Sequence, residues 1–485
     1  MTKELRRLSV IMLFMFIALF GATSWIQVVH ADALIQHPNN NRTLYDSYEI
    51  QRGAIIVDGT PIASSVRSDD VYSFQRMYPD AEIWAPVTGY FNPALRSSTG
   101  IERALNADLS GTGASAFFAS IERILSGQPQ RGANVVLTLD AAGQEAAYAA
   151  LEGLQGAVLA LDPATGQILV MASTPGFDTN RLAVHSVSDA NAAYESLQDD
   201  PSNPMYNRAI AGDTNPPGST FKVVVAAAAF DTGEWTPEST FPNETSYTLP
   251  GTSTPIYNAW NGACGPGDTA TIADALRLSC NTIFAQLAVE LGDDTIREMA
   301  EKFGFNQGFE TPLESIASSY PRALSPDRTA LSGYGQGDVT ATPLQMAMVS
   351  AGIANDGVVM NPWMVESVLG NDLSVQRSYD PSVFQEALSP EVAQTLTEMM
   401  VDGVENGAAG NARIDGIAVA GKTGTAQKGD EQPKVLWFTG FAPADNPRIA
   451  IAVVVEDGGG QGQSGTGDGI ASPIAKRVIE AVLNR

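Results

Sequence analysis

Three short stretches, far apart in the chain, carry residue types able to do nucleophilic acyl chemistry. The first is Pro216-Pro217-Gly218-Ser219-Thr220-Phe221-Lys222, followed by the apolar run Val223 to Phe230. Pro and Gly stop whatever precedes them. The alanine-rich apolar run predicts a buried helix. Ser219 then stands at the helix N-terminus with Lys222 three residues on, where side chains share a face and Cβ atoms lie about 5–6 Å apart. The free N–H groups of a helix start can hold an oxyanion. Burial disfavours a lysine's charge, and a neutral amine is a general base, so Ser-x-x-Lys is a candidate activated nucleophile. A capping serine beside a lysine that snorkels to water would give the same quartet. The partners elsewhere must decide.

Ser279-Cys280-Asn281 falls between the helical stretches Leu276–Leu278 and Thr282–Phe284. It offers a hydroxyl to shuttle a proton and a carboxamide to hold Lys222 and a substrate amide. Ala420-Gly421-Lys422-Thr423-Gly424-Thr425-Ala426 follows an apolar strand. Such a segment can pair with an extended substrate through its main chain. Gly424 removes a side chain where that substrate comes close. Lys422 and Thr423 can receive a carboxylate, and the Thr425 and Ser219 N–H groups can form a two-donor oxyanion hole. Taken alone, each piece has an ordinary explanation as a helix cap or a solubilised edge strand.

Composition narrows the chemistry. The 485 residues hold 28 Lys and Arg against 54 Asp and Glu, a formal net charge of −26. That excludes nucleic acid as a partner class. The three histidines, His30, His37 and His185, show no metal-ligand spacing, and Cys264 and Cys280 form no C-x-x-C. No metal and no cofactor is expected, and a lysine base gains weight over a histidine one.

The elements that must position these groups are legible in outline. An uncharged apolar run from Val10 to Val29 is about long enough to cross a bilayer. It follows Lys3, Arg6 and Arg7, which favour a cytoplasmic N-terminus. A cleaved signal peptide ending near Val28-Val29-His30-Ala31 is the rival, and the long core favours an uncleaved anchor. Asn39-Asn40-Asn41-Arg42 reads as a linker, and Tyr48 to Gly59 as a strand closing in an Asp-Gly turn. Pro86-Val87-Thr88-Gly89-Tyr90 reads as loop, Val135–Leu139 as a strand and Ala141–Leu151 as a helix. Gly156–Asp162 and Gln167–Ala172 read as a hairpin. Helices are expected over Thr271–Leu291, Pro343–Ala354, Glu391–Val401 and Pro473–Leu483. Late strands are expected over Gly416–Ala420, Leu436–Phe441 and Arg448–Val455. The glycine-rich stretch Gly459–Gly469 is expected to be mobile. An early hairpin, a helical middle and three late strands imply an α+β fold, with one antiparallel sheet flanked by helices.

In the order S-x-x-K, S-x-N, K-T-G the three motifs together resemble those of penicillin-binding proteins and class A β-lactamases. The chain as a whole resembles the class B penicillin-binding proteins, monofunctional peptidoglycan D,D-transpeptidases. Arg52-Gly53-Ala54-Ile55, Asn207-Arg208-Ala209, Gly335-Gln336-Gly337, Thr342–Ala347 and Trp437-Phe438-Thr439-Gly440-Phe441 are similar to family segments. The resemblance implies a cytoplasmic tail (1–9), a transmembrane anchor (10–29), a mixed α/β pedestal resembling the family's dimerisation module (30–155) and a transpeptidase domain (156–485) with an all-helical part. It implies that Ser219 attacks a D-Ala-D-Ala stem peptide and Lys222 is the base. Ser279 returns the proton to the leaving group and Asn281 positions Lys222 and substrate. Lys422, Thr423, Gly424 and Thr425 hold the terminal carboxylate and line the strand. Implied partners are stem-peptide donor and amine acceptor, β-lactams as substrate mimics, the cytoplasmic membrane and a SEDS-type glycosyltransferase, with the catalytic domain outside the cytoplasm. In that compartment Cys264 and Cys280 can form a disulfide pinning Ser279 and Asn281, or remain two small buried thiols. A D,D-carboxypeptidase or endopeptidase of the same fold, or a silent scaffold, are the other readings. No E-x-x-L-N follows the S-x-N, against a β-lactamase.

Overall fold

The computed structural model describes residues 2–28, 50–70, 72–93, 95–112, 130–429 and 431–484. The Asn39–Arg42 linker, His30, His37, the end of the expected anchor at Val29 and the start of the expected strand at Tyr48 lie outside these residues.

The chain opens with helix α1 (Thr2–Val28), whose segment Lys3–Ile26 is long and apolar enough to cross a membrane. Strands β1 (Ile55–Val57), β2 (Thr60–Arg67) and β3 (Phe74–Met77) follow. Asp58 and Gly59, both at positive φ, make the expected turn between β1 and β2. Pro86 to Thr88, read from sequence as loop, instead close a helix running from Ala81 to Thr88. Strand β4 (Asn134–Leu137) leads into α2 (Ala141–Ala150), whose cap Asp140 accepts the Gly143 N–H at 2.6 Å.

The hairpin β5 (Gly156–Leu161) and β6 (Ile168–Thr174) precedes α3 (Lys222–Asp231). The helical stretch expected over Thr271–Leu291, with its break at Ser279-Cys280-Asn281, is two helices, α4 (Ile272–Leu278) and α5 (Asn281–Leu291). Ser279 breaks it at φ 65, ψ 40, a left-handed conformation no helix interior contains. Helix α6 (Pro343–Ala354) begins on a Thr342 cap with Pro at its first position. Next come β7 (Val365–Leu369), β8 (Val375–Ser378) and α7 (Pro390–Glu405). Strands β9 (Ala420–Ala426), β10 (Val435–Ala442) and β11 (Ile449–Val455) and helix α8 (Ser472–Leu483) complete the chain. The strand expected over Gly416–Ala420 begins only at Ala420, so Lys-Thr-Gly lies within the strand rather than after it.

Strands β9-β10-β11-β5-β6 form one antiparallel sheet in that order, joining the first hairpin to the last strands. Its residues alternate between two cores. Ala450, Ala452 and Val454 face the core shared with α3 and α6. Ile451, Val453 and Val455 face the core shared with α2 and α8. Helices on both faces explain why β11 is Ile-Ala-Ile-Ala-Val-Val-Val, apolar on both sides and wholly buried. A second sheet has the order β8-β7-β4-β1-β2-β3. Its β7 and β8 come from beyond α6, so a late hairpin completes the sheet of the N-terminal region. Beneath it Arg52 and Arg76 pair with buried Glu102 at 2.7 and 2.5 Å.

Candidate active site

Ser219 sits on a 3-10 turn, Gly218–Phe221, immediately before α3 rather than on the α-helix itself. The turn is fixed from several sides. Gly218 N–H donates to Gly335 O at 2.9 Å, and Trp437 Nε1 donates to Pro216 O at 3.0 Å. Asn215 Nδ2 donates to Glu456 at 2.8 Å. Gly218 has φ +55, and a Cβ there would lie 3.1 Å from Thr425 O. Glycine at 424 has an internal reason beyond the expected room for substrate. Its Cβ would meet Pro217 O at 2.7 Å, so strand β9 and the Ser219 turn touch backbone to backbone.

Lys222 is wholly buried, and its amine is surrounded by oxygen atoms. Nζ lies 2.9 Å from Ser219 Oγ, 2.9 Å from Asn281 Oδ1 and 2.7 Å from Ser279 O. The last two are carbonyl oxygens and can only accept. A neutral amine has two N–H bonds and one lone pair. With both N–H bonds spent on the carbonyls, the lone pair is left for the Ser219 hydroxyl hydrogen. The charge state fits this. Burial holds the Lys222 pKa well below the usual lysine value, and the Lys422 charge pushes it further down.

Ser279 links the two lysines. Its Oγ is 2.8 Å from Lys422 Nζ and 3.5 Å from Lys222 Nζ. Lys422 is nearly as buried as Lys222. Burial lowers its pKa to about 7, with Asp468 pulling the other way. Lys422 also donates to Thr423 O at 3.0 Å. The cleft, of about 750 Å³, is walled by Ser219, Ser279, Asn281, Thr423, Gly424 and Thr425, with both lysine amines behind that wall. Both amines bond to residues that wall the cleft, Lys222 to Ser219, Ser279 and Asn281, and Lys422 to Ser279 and Thr423. Thr423 Oγ1 donates to Ala408 O at 3.0 Å. Thr425 Oγ1 accepts the Gly467 N–H at 3.1 Å and keeps its own hydrogen for the cleft.

The S-x-N corner is held by residues the motifs did not reveal. Cys280 occupies the cap position of α5 but makes no side-chain cap bond. The Asn258 carboxamide replaces it, accepting the Asn281 N–H at 2.6 Å and the Thr282 N–H at 3.1 Å. Asn281 Nδ2 donates to Tyr257 O at 3.0 Å, which turns Oδ1 toward Lys222. Cys280 is joined to Cys264 in a disulfide with Cα atoms 5.7 Å apart. Asp468 also lines the cleft, on the stretch read from sequence as mobile; its one signal was to be the lone charge among glycines. That stretch is instead packed against β9 through the Gly467 bond.

A fold of this topology with a paired serine and lysine in its cleft defines a serine acyltransferase of the penicillin-recognising type. The model of the penicillin binding protein transpeptidase domain matches residues 156–480, and that of the penicillin binding protein A dimerisation domain matches residues 52–135. The chain belongs to the penicillin-binding protein transpeptidase family. It is 39% identical to the peptidoglycan D,D-transpeptidase PbpA of Mycolicibacterium smegmatis over 492 residues, covering 100% of this chain and 99% of that one. The PbpA of Mycobacterium tuberculosis is 39% identical over 500 residues, with the same coverage. The structure is also similar to the M. tuberculosis penicillin-binding protein A acyl-enzyme complex with penicillin G. The TM-score is 0.84 at 37% identity, covering 89% of this chain and 99% of that one.

Proposed function

We propose that this protein is a serine D,D-transpeptidase that cross-links peptidoglycan stem peptides through an acyl-enzyme on Ser219 and is inhibited by β-lactams. The observation that carries the site assignment is the Lys222 amine, 2.9 Å from Ser219 Oγ with its other bonds taken by carbonyls. Neutral Lys222 accepts the Ser219 proton as Oγ attacks the penultimate D-Ala carbonyl. The Ser219 and Thr425 N–H groups receive the oxyanion. Ser279, bonded to Lys422, passes a proton to the departing D-Ala nitrogen. Thr425, which keeps its hydroxyl hydrogen, holds the terminal carboxylate, with the Lys422 charge behind it. An amine from a second stem then attacks the ester, the C–N bond forms, the C–Oγ bond breaks and the proton returns to Ser219.

The finer topology belongs to the same reading. Helix α1 anchors the chain in the cytoplasmic membrane, its Lys3, Arg6 and Arg7 staying inside and the catalytic cleft lying outside. Residues 30–155 form the pedestal and 156–485 the transpeptidase domain. Glycan polymerisation falls to a SEDS-type partner contacted by the anchor and pedestal. The test is peptide mapping after benzylpenicillin treatment. A single adduct on the peptide containing Ser219, absent from Ser219→Ala, is expected. An adduct elsewhere, or none, contradicts the assignment.

A further inference from the structure

Two of the residues that line the cleft carry a charge, Asp468 and Lys434. Asp468 is already engaged. Asn411 donates to both of its carboxylate oxygens, at 3.0 Å each, and its charge acts on Lys422. Lys434 is not used by any step above, and among the described residues no Asp or Glu forms an ion pair with it. Its place is fixed. It directly precedes β10, and its N–H donates to Gly462 O at 3.4 Å. Strand register pairs Ala426 with Val435, so Lys434 stands beside Gln427, at the end of β9 beyond the oxyanion donor Thr425. In a chain of net charge −26, a cation lining a peptide-binding cleft is suited to an anion on the ligand.

Its position along the strand says which anion. Ser279 Oγ lies 2.8 Å from Lys422 Nζ, and in the mechanism above that hydroxyl protonates the departing nitrogen. The departing D-Ala, with its terminal carboxylate, therefore occupies the Lys422 end of β9. The acyl half of the donor leads the other way, past Thr425 toward Gln427. Strand β9 is an edge of its sheet, and an extended peptide laid along such an edge advances about 3.3 Å per residue. Gln427 is two residues beyond Thr425, so Lys434 stands level with the first or second residue before the acylated D-Ala. The terminal carboxylate lies at the opposite end. The anion that meets Lys434 is a second carboxylate, carried on the acyl half.

We propose that Lys434 is a specificity residue for the acyl donor, receiving a side-chain carboxylate one or two residues before the acylated D-Ala, so that the enzyme prefers a free-acid stem peptide to its amidated form. This rests on the transpeptidase reading above. The contact is half-buried and lies away from the reacting atoms. It adds to the binding of the donor and leaves the Ser219–Lys222 pair as it is. A donor whose carboxylate is amidated gains nothing from it.

The test is the ratio of kcat/KM for two donors, in which any general effect of a substitution on fold or nucleophile cancels. The full chain in detergent is given N-acetyl-L-glutamyl-D-alanyl thioglycolate, whose leaving group keeps a terminal carboxylate, or its glutaminyl counterpart. Thiol release is followed. The wild type should favour the glutamyl donor roughly threefold, the scale of one half-exposed ion pair, and the preference should shrink with added salt. Lys434→Met should abolish the preference, Lys434→Glu should reverse it and Lys434→Arg should keep it. A ratio near one in the wild type, or a preference that survives in Lys434→Met, overturns the assignment and leaves the acyl-enzyme reading standing. Wild type that releases thiol from neither donor sinks the transpeptidase reading itself, and this role with it.

Discussion

At the scale of single residues, the chemistry turns on two amines kept out of water. The closeness of Ser219 and Lys222 was legible in Ser-x-x-Lys because the spacing alone puts both groups on one face. What the spacing could not show is that Ser279 O and Asn281 Oδ1 take up both N–H bonds of a neutral Lys222. Those partners lie more than fifty residues away. The burial of Lys422 was equally hidden, since a lysine on a strand also reads as a solubilised edge until its packing is seen. That burial has a thermodynamic signature. The folded pKa of Lys422 is about 7 against an ordinary 10.5, so between those values the unfolded chain binds more protons than the folded one. Stability contributed at this site therefore rises with pH across that window, and the cost of burial is greatest below it. In Lys422→Met, of similar volume and without charge, the wild type should gain stability relative to the variant as pH goes from 7 to 10. Denaturation midpoints of the pair measured at several pH values check this. A constant difference would mean that Lys422 titrates normally.

At the scale of elements, the arrangement depends on a broken helix. The sequence pattern puts helix on either side of Ser279-Cys280-Asn281 within Thr271–Leu291 and a break at the motif, without showing what holds the break open. The break needs Ser279 in a left-handed conformation and a start signal for α5 that Cys280 cannot give. Asn258 supplies it from a separate hairpin, a long-range contact with no local signature. Removing it as Asn258→Ala should cost about 1 kcal/mol, the usual scale of a lost cap. It should also slow acylation, because the same corner presents Asn281 to Lys222. Stopped-flow acylation together with thermal unfolding checks both; loss of stability with an unaltered rate would separate the cap from the site. The Cys264–Cys280 bond closes a segment with a sequence separation of 16 around this corner. By loop-closure entropy it contributes about 3 kcal/mol. Strand β9 was placed four residues too early in sequence because Gly421 and Gly424 depress strand propensity. Close backbone approach by the Ser219 turn, rather than propensity, decides that position.

At the scale of the whole molecule, the antiparallel sheet joining early and late strands was legible because β5 and β11 are continuous apolar runs and β10 is one but for Thr439 and Gly440. The second sheet was not. Strands β7 and β8 are short, half-exposed and separated from β4 by most of the catalytic region, so no local pattern announces that Val365–Leu369 pairs with Asn134–Leu137. This shared sheet ties the strands before residue 140 to the hairpin beyond α6 by main-chain bonds. A fragment of residues 50–155 alone would expose β4 as an unprotected edge above a buried arginine–glutamate cluster. It should fail to show a cooperative denaturant transition, while the full chain shows one. A cooperative fragment would mean that the late hairpin only decorates the N-terminal region.

The central claim is that an uncharged lysine draws the hydrogen from Ser219, and the pH dependence of acylation by benzylpenicillin tests it most directly. With Lys222 held well below its ordinary pKa, the rate constant should rise from acid pH and level off well before the pH at which an ordinary lysine loses its proton. A rate that keeps climbing with the slope of an ordinary lysine up to pH 10, or that is flat throughout, would contradict it.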